Sequence, residues 1–208
     1  MYIPEPFKVT DDQEIDAFLR RYDFATVVSF AQEGPIASHL PVVARRESTG
    51  VTISGHLARA NSHWTAMDGK TEAIVIFQGP HGYVSPTWYA SAPAVPTWNY
   101  AVVHAYGRPM AREDQAFLED ILRELLDRYE VGRTKAWQLE NLPPDYSRRQ
   151  LAGIVGFEMP VARLETKFKL GQNRTATDRA GTIEGLDREN TVEAARLADF
   201  MRSYLKDG

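Results

Sequence analysis

The sequence predicts an α+β fold, a small antiparallel β-barrel decorated by helices, and three observations predict it. Short β-branched runs follow one another between residues 24 and 57 with turn residues between them. Amphipathic helical stripes stand near both ends of the chain and around 117–129. Strand–helix alternations are too few for a doubly wound parallel sheet. With 208 residues, 43% of them hydrophobic, the chain is long enough for one substantial core, so a single domain over 1–208 is expected.

Each element has its own signal. Thr10-Asp11-Asp12-Gln13 has the spacing of a capping box, and Ile15, Phe18, Leu19 and Tyr22 then recur on one helical face. The runs FATVVSF, IASHLPVV and VTISGHL read as a strand meander, with QEGP and RRESTG supplying the turns. Ala60 to Met67 reads as a short helical or irregular connection. Ala73 to Gln78 is a continuous apolar run, expected to be a buried strand, and Tyr100 to Tyr106 resembles it. The Gly/Pro/Ser-rich segment between those two is too long for a tight hairpin, and loops of that size in a domain usually carry function. Beyond Gly107, Phe117, Leu118, Ile121, Leu122, Leu125 and Tyr129 form a helical stripe. Gly153 to Phe168 reads as one or two strands. Val192, Ala195, Phe200, Met201, Tyr204 and Leu205 lie on a C-terminal helix expected over about 190–206.

Composition excludes several classes. The formal charge is -4 and acidic and basic residues are interspersed, so there is no electrostatic footprint for gripping a polyanion. No helix-turn-helix is recognisable, and the positive charges from Arg123 to Lys135 alternate with negative ones, which argues against direct DNA contact. The chain has no cysteine, which removes disulfides, thiolate zinc sites and Cys nucleophiles together, so redox chemistry would need a cofactor. No leader pattern and no apolar run of membrane-spanning length is present, so no membrane partner and a cytoplasmic location are expected. Dinucleotide, P-loop, nucleophile-elbow and zincin motifs are all missing. The five His (His39, His56, His63, His81, His104) fall between 39 and 104. Without Cys, and without an i,i+4 pair on a helix, they read as hydrogen-bonding residues, not metal ligands.

Two stretches carry candidate chemistry. From Ala73 through Gly107 there is no Asp, Glu, Lys or Arg, although Phe77 to Tyr106 holds two Trp, four Tyr and two His. Within it SPTWY and VPTWN repeat a Pro-Thr-Trp core, setting Ser85, Thr87, Thr97 and Asn99 beside Trp88 and Trp98. Flat rings beside side-chain donors suit a planar, hydrogen-bonding heteroaromatic ligand, and they suit a plain aromatic core equally. The second stretch, Gly55 to Trp64, ends a strand and offers Arg59, Asn61, Ser62 and His63 within reach of a phosphate, or else a solvated Arg at a corner.

The blocks HLARAN, FQGPHGYVSPTWY, VPTWNYAVVHAYG, GIVGFEM and KFKLGQNR, with the opening MYIPEPF and SHLP at Ser38 to Pro41, resemble in order and spacing the PaiB-like family of FMN-binding negative transcriptional regulators. Two departures are visible: Gly171 where the family usually has Ser, and Ser62 where Pro commonly follows HLARAN. The resemblance implies an FMN-binding split barrel, usually a homodimer with a flavin at each of two subunit interfaces. It implies FMN contacts from His39, His56, Arg59 and Asn61, the last three near the phosphate. Ser85, Trp88, Tyr89, Thr97, Trp98 and Asn99 would lie near the ring or ribityl chain, and Lys169 and Gln172 would form a second polar set. It names no catalytic residue. The function it implies is flavin-dependent redox chemistry, with NAD(P)H or another small molecule as partner, or flavin-responsive regulation. A direct DNA-binding repressor and a heme- or small-molecule-handling relative on the same barrel stand as alternatives.

Overall fold

The structure is a computed structural model and describes residues 1–205. Among these, seven strands and five helices alternate in the order α1 (Asp12–Arg21), β1 (Phe24–Ala31), β2 (Gly34–Glu47), β3 (Gly50–Ala58), β4 (Ala73–Val84), β5 (Thr97–Gly107), β6 (Met110–Arg112), α2 (Gln115–Glu130), α3 (Pro144–Ala152), β7 (Ile154–Lys169), α4 (Ala176–Arg188) and α5 (Val192–Tyr204). The strands form one sheet ordered β3-β2-β1-β4-β5-β7-β6, and the pairings whose registers are resolved are antiparallel. A further pairing of β3 with β7, from Thr52↔Pro160 to Ala58↔Ile154, returns the sheet on itself, as a barrel requires. The α+β antiparallel barrel expected from the sequence is the observed fold class.

By its internal contacts the chain forms two compact units. One comprises Asp16–Phe77 and His104–Leu164; the other comprises Met1–Ile15, Gln78–Val103 and the chain from Glu165 onward.

The first unit holds the meander. β1 pairs with β2 from Phe24↔Pro41 to Ala31↔Gly34 around a two-residue turn, and with β4 at Thr26↔Ile76 and Val28↔Ile74. Period-two alternation sends Ala25, Val27 and Ser29 of β1 into the core, where Val42, Ile53, Val75 and Phe77 are also fully buried. Helix α2 starts at Asp114, whose carboxylate accepts the Phe117 N–H at 3.0 Å. Its Ile121 and Leu125 cluster with Val43, and near its end Arg128 donates to the Asp23 carboxylate at 2.8 Å.

The second unit rests on the helical hairpin α4–α5, capped by Thr175 and Thr191, which accept the Asp178 and Ala194 N–H groups. Phe168, Phe200 and Tyr204 form its aromatic centre, with ring centroids 5.3–6.3 Å apart.

Several expectations need correction. Asp11, not Thr10, caps α1, accepting the Glu14 N–H at 2.9 Å; the residue one step later has the oxygen at the first free N–H groups. Ala73 to Gln78 is not buried throughout: Ala73, Val75 and Phe77 point inward, whereas Gln78 is exposed and the strand runs on to Val84. Of the one or two strands expected over Gly153 to Phe168, the structure has one, Ile154–Lys169. The last helix begins at Val192, because Asn190 adopts φ +50 and breaks the chain direction before Thr191; the expected end at 206 lies outside the described residues. Helices α3 and α4 and the short strand β6 were not expected.

Candidate functional site

The candidate residues from the first unit sit at the β2 and β3 strands and the turn after β3. Asn61 caps the 3-10 turn Ser62–Ala66 by accepting the His63 N–H at 3.1 Å, and its amide donates to Ser38 Oγ at 3.1 Å. Ser38 Oγ also bonds Nδ1 of the wholly buried His63 at 2.9 Å, leaving Nε2 of that ring without a partner. His56, half-buried on β3, likewise has an unpartnered buried Nδ1. Burial lowers the pKa of both rings below the usual 6.5, because the imidazolium would lose its hydration without gaining a counter-charge. His39 is exposed, bonds Thr26 Oγ1 at 3.0 Å and stacks at 6.5 Å on Phe24. Arg59 makes three hydrogen bonds: Nη1 donates to the Glu113 carboxylate at 2.6 Å, Nε to the Ala152 carbonyl at 2.9 Å, and Nη2 to the Ile154 carbonyl at 3.2 Å. The guanidinium therefore has a counter-charge within its own unit.

The second unit carries the aromatic residues. Along β5, Asn99, Ala101 and Val103 are buried while Trp98, Tyr100 and Val102 face outward. Trp98 (54% exposed) meets the edge of Tyr83 (46%) at 6.3 Å. Gln78, His81, Trp98, Tyr100 and Val102 line a cavity of about 370 Å3, and Trp98 also borders a smaller one of about 290 Å3 with Tyr83, Trp88 and Leu186. Of the wider cavities elsewhere, the one of about 470 Å3 beside the end of α2 holds none of the candidate residues, and the one of about 780 Å3 at the β1–β2 turn holds only Ser62.

The loop between β4 and β5 is pinned to α4. Ser85 accepts the Thr87 N–H and caps a 3-10 turn over Pro86–Trp88. The Trp88 indole lies so close to Gly185 that a Cβ there would sit 2.2 Å from Cδ2. Just beyond, Asp178 accepts the Ala90 and Ser91 N–H groups at 2.9 and 3.0 Å and the Ser91 hydroxyl at 2.6 Å. These bonds, the hydroxyl first, hold its pKa below the ordinary carboxylate value. Tyr89 lies under the Arg174 guanidinium at 4.5 Å. Asn99 points away from the exposed face: its buried amide meets Met201 Sδ at 3.6 Å.

After β7 the chain turns at Gly171, whose φ of +83 suits glycine where Ser was the expected residue. Gln172 folds its side chain back to close that turn, accepting the Leu170 N–H at 2.8 Å and donating to the Phe168 carbonyl at 2.6 Å. Lys169 Nζ donates to Thr97 Oγ1 and, at 2.6 Å, to the Trp98 carbonyl.

Of the candidates, Trp98, Thr97 and Lys169 are thus gathered at one edge of β5, and Asn61 joins Ser38 and His63. Gln172 and Asn99 are taken up within the fold. Lys167, Arg174 and Asp178 were missed. Their signal was local charge: from Lys167 to Arg179 four basic residues accompany a single acid, Asp178.

Comparison with known proteins places these observations. The family model described as "Putative FMN-binding domain" matches residues 1–163. Protease synthase and sporulation protein PAI 2 of Bacillus subtilis is 39% identical over 206 residues, covering 99% of each chain. Uncharacterized protein AN0679 of Emericella nidulans is 31% identical over 203 residues, covering 80% of each. Among solved structures, the flavocytochrome Anf3 from Azotobacter vinelandii superposes with a TM-score of 0.61 at 19% identity, over 84% of this chain and 75% of that one. The FAD and heme binding protein from Mycobacterium smegmatis gives 0.56 at 18%, over 83% and 78%. At such identities these two likenesses are of fold.

Proposed function

The chain belongs to the PaiB-like family of FMN-binding split-barrel proteins, and from that premise we propose that it acts as a homodimeric flavin-binding regulator whose FMN serves redox chemistry or redox sensing. The observation that carries the reading is the outward edge of β5. Trp98, Tyr100 and Val102 offer an apolar wall beside a cavity, in a segment with no charged residue from Ala73 through Gly107. Uncharged polar side chains, Gln78 and His81, line the same cavity, and Thr97 and Lys169 stand at the border of the wall. A flat ring system with a polar edge suits such a wall.

FMN, when bound, supplies one- and two-electron transfer. The chain's own groups bind and shield it: Trp98 and Tyr100 cover ring surface, and Lys169 and Thr97 fix orientation. Ser85, Trp88 and Tyr89 hold the β4–β5 loop in place. NAD(P)H is the expected reductant.

The homodimer is supported by the β1–β2 surface. Phe24 and Phe30 are 67% and 60% exposed on the face that β1 turns away from its core, opposite Pro41 and Pro35 of β2. Such a row of aromatic and proline side chains is expected to be covered by a second copy.

Titration of the purified protein with FMN tests the reading. Tryptophan fluorescence is expected to be quenched saturably, and Trp98→Phe is expected to remove the larger part of the quenching. Absence of saturable quenching in the wild type, with no flavin bands retained on purification, would sink it. Addition of NADH or NADPH then reports whether the bound flavin bleaches.

A further inference from the structure

At the turn between α4 and α5 the second unit holds a cavity of about 290 Å3 whose walls are aromatic and whose rim is acidic. Tyr83, Trp88 and Trp98 line it, together with Glu189 and Glu193 from the two sides of the turn. The Tyr83 and Trp98 rings stand at 77° to each other with centroids 6.3 Å apart, so they make a corner, not a stack. Trp88 is fixed against Gly185 and by the turn that Ser85 caps. The two corner rings are 46% and 54% exposed, although aromatic surface is costly to leave in water. The carboxylates are unbalanced as well. Among the described residues neither Glu189 nor Glu193 has an ion-pair partner, and no Lys or Arg lines the cavity. Nearby arginines are committed elsewhere: Arg188 donates to the Glu184 carbonyl, and Arg202 pairs with Asp187 and Asp199. Glu193 lies in the first turn of α5, where the helix dipole favours a negative charge, but Glu189 is the C-cap of α4, where the same dipole opposes one. A carboxylate held at the unfavourable end of a helix, beside open rings and without a cation from its own chain, fits a cation supplied from outside.

We propose that this cavity binds a small organic cation, an alkylated ammonium with a compact apolar body. Aromatic faces attract such a cation through the ring quadrupole and accept its alkyl groups, and the two carboxylates add Coulomb attraction at the rim. A volume of about 290 Å3 stands at the lower end of small-molecule sites, which suits a head group of this size. A bare divalent ion matches less well, because it takes oxygen ligands and most of this wall is ring; no group of three or more metal-ligating side chains occurs among the described residues. An anion is repelled by Glu189 and Glu193, so the cavity is unlike the flavin wall in charge. His81 and Trp98 line both cavities, and the cation is thereby held next to the surface that the FMN reading assigns to the ring.

The test sets choline against the neutral alcohol in which a tert-butyl group replaces the trimethylammonium, a ligand of the same shape without the charge. Each is titrated into the purified protein by calorimetry and by tryptophan fluorescence, to which Trp88 and Trp98 give a local signal. Choline is expected to bind saturably and about 10-fold tighter than the alcohol. Tyr83→Leu is expected to weaken choline about 3- to 10-fold. Glu189→Gln and Glu193→Gln combined should weaken it about as much, and change the affinity for the alcohol by less than about twofold. Unchanged thermal melting of the double glutamine variant shows that the fold is intact. No saturable response to choline, equal binding of the two ligands, or choline binding unaltered in the double variant would overturn the proposal. So would magnesium ion that displaces choline from the wild type, which would make the two carboxylates a metal site. Titrations with and without saturating FMN keep this proposal apart from the flavin reading. Choline selectivity in a protein that takes up no flavin leaves the cation site standing, and flavin uptake without choline selectivity leaves the flavin reading standing.

Discussion

His63 shows how much one side chain depends on its surroundings. It is fully buried, bonded through Nδ1 to Ser38 and unpartnered at Nε2, and its pKa is depressed by burial. A group whose folded-state pKa lies below its unfolded value binds protons more weakly when folded. Stability is then complete above the unfolded value near 6.5 and is lost as pH falls through that value toward the folded one. His56 is shifted in the same direction for the same reason. Urea unfolding of His63→Gln between pH 7 and 5 is therefore expected to show a shallower fall of stability with pH than the wild type, with the remainder carried by His56. An identical slope in both proteins would mean that His63 is not the titrating group. Gly171 makes a related point: a departure from the family's usual Ser sits where the backbone takes φ +83, so the turn after β7 is less strained with glycine than with the residue it replaces.

At the scale of elements, α4 and the β4–β5 loop define each other. The indole of Trp88 occupies the space a side chain at Gly185 would need, and Asp178 from the first turn of α4 collects the backbone of Ala90 and Ser91. Gly185→Ala places a methyl group 2.2 Å from Trp88 Cδ2, so the indole or the helix must shift. Overpacking of this kind costs about 1 to 3 kcal/mol. A lowered melting temperature and weaker FMN binding are expected together, since the loop that carries Ser85 and Tyr89 moves with the ring. An unchanged melting temperature would show that the contact is slack. Asp178→Asn should loosen the same loop by a different route, through weaker bonds to Ser91, and limited proteolysis between Trp88 and Pro96 is expected to accelerate.

For the whole molecule, the two claims to test are assembly and nucleic-acid binding. Phe24→Asp places a charge on the exposed β1 face without touching the buried residues on the other side of the strand. It is expected to shift the protein from dimer to monomer in light scattering while its circular dichroism stays unchanged; a monomeric wild type that binds FMN fully would remove the dimer from the reading. The net charge of -4 and the lack of a basic helix predict no tight binding to duplex DNA at physiological salt. In α2, Arg123 is paired with Glu119, Asp120 and Glu140, and Arg128 with Asp23 and Glu124, so these cations are not free to form phosphate contacts. Nanomolar, salt-sensitive shifts of upstream DNA would overturn that expectation. No helix among the described residues is long and apolar enough to cross a membrane.

By itself the sequence determined the elements whose burial pattern is local: α1, the meander of β1 to β3, and α2, whose apolar residues recur at periods set by backbone geometry. It also determined the charge-free aromatic segment and, through its blocks, the family. It did not disclose α4, where two glycines and scattered polar residues blur the helical stripe; that helix is fixed by Trp88 and by the Ala90–Ser91 backbone, some 90 residues away in sequence. Nor could it tell Arg59, which has an acidic partner, from Lys169, which has none among the described residues. Both are basic residues in polar blocks, but Arg59 meets Glu113, 54 positions along the chain, and Lys169 meets only neutral groups and other cations. Coulomb attraction depends on distance in space, and only the folded chain sets which charges are near and which remain without a partner.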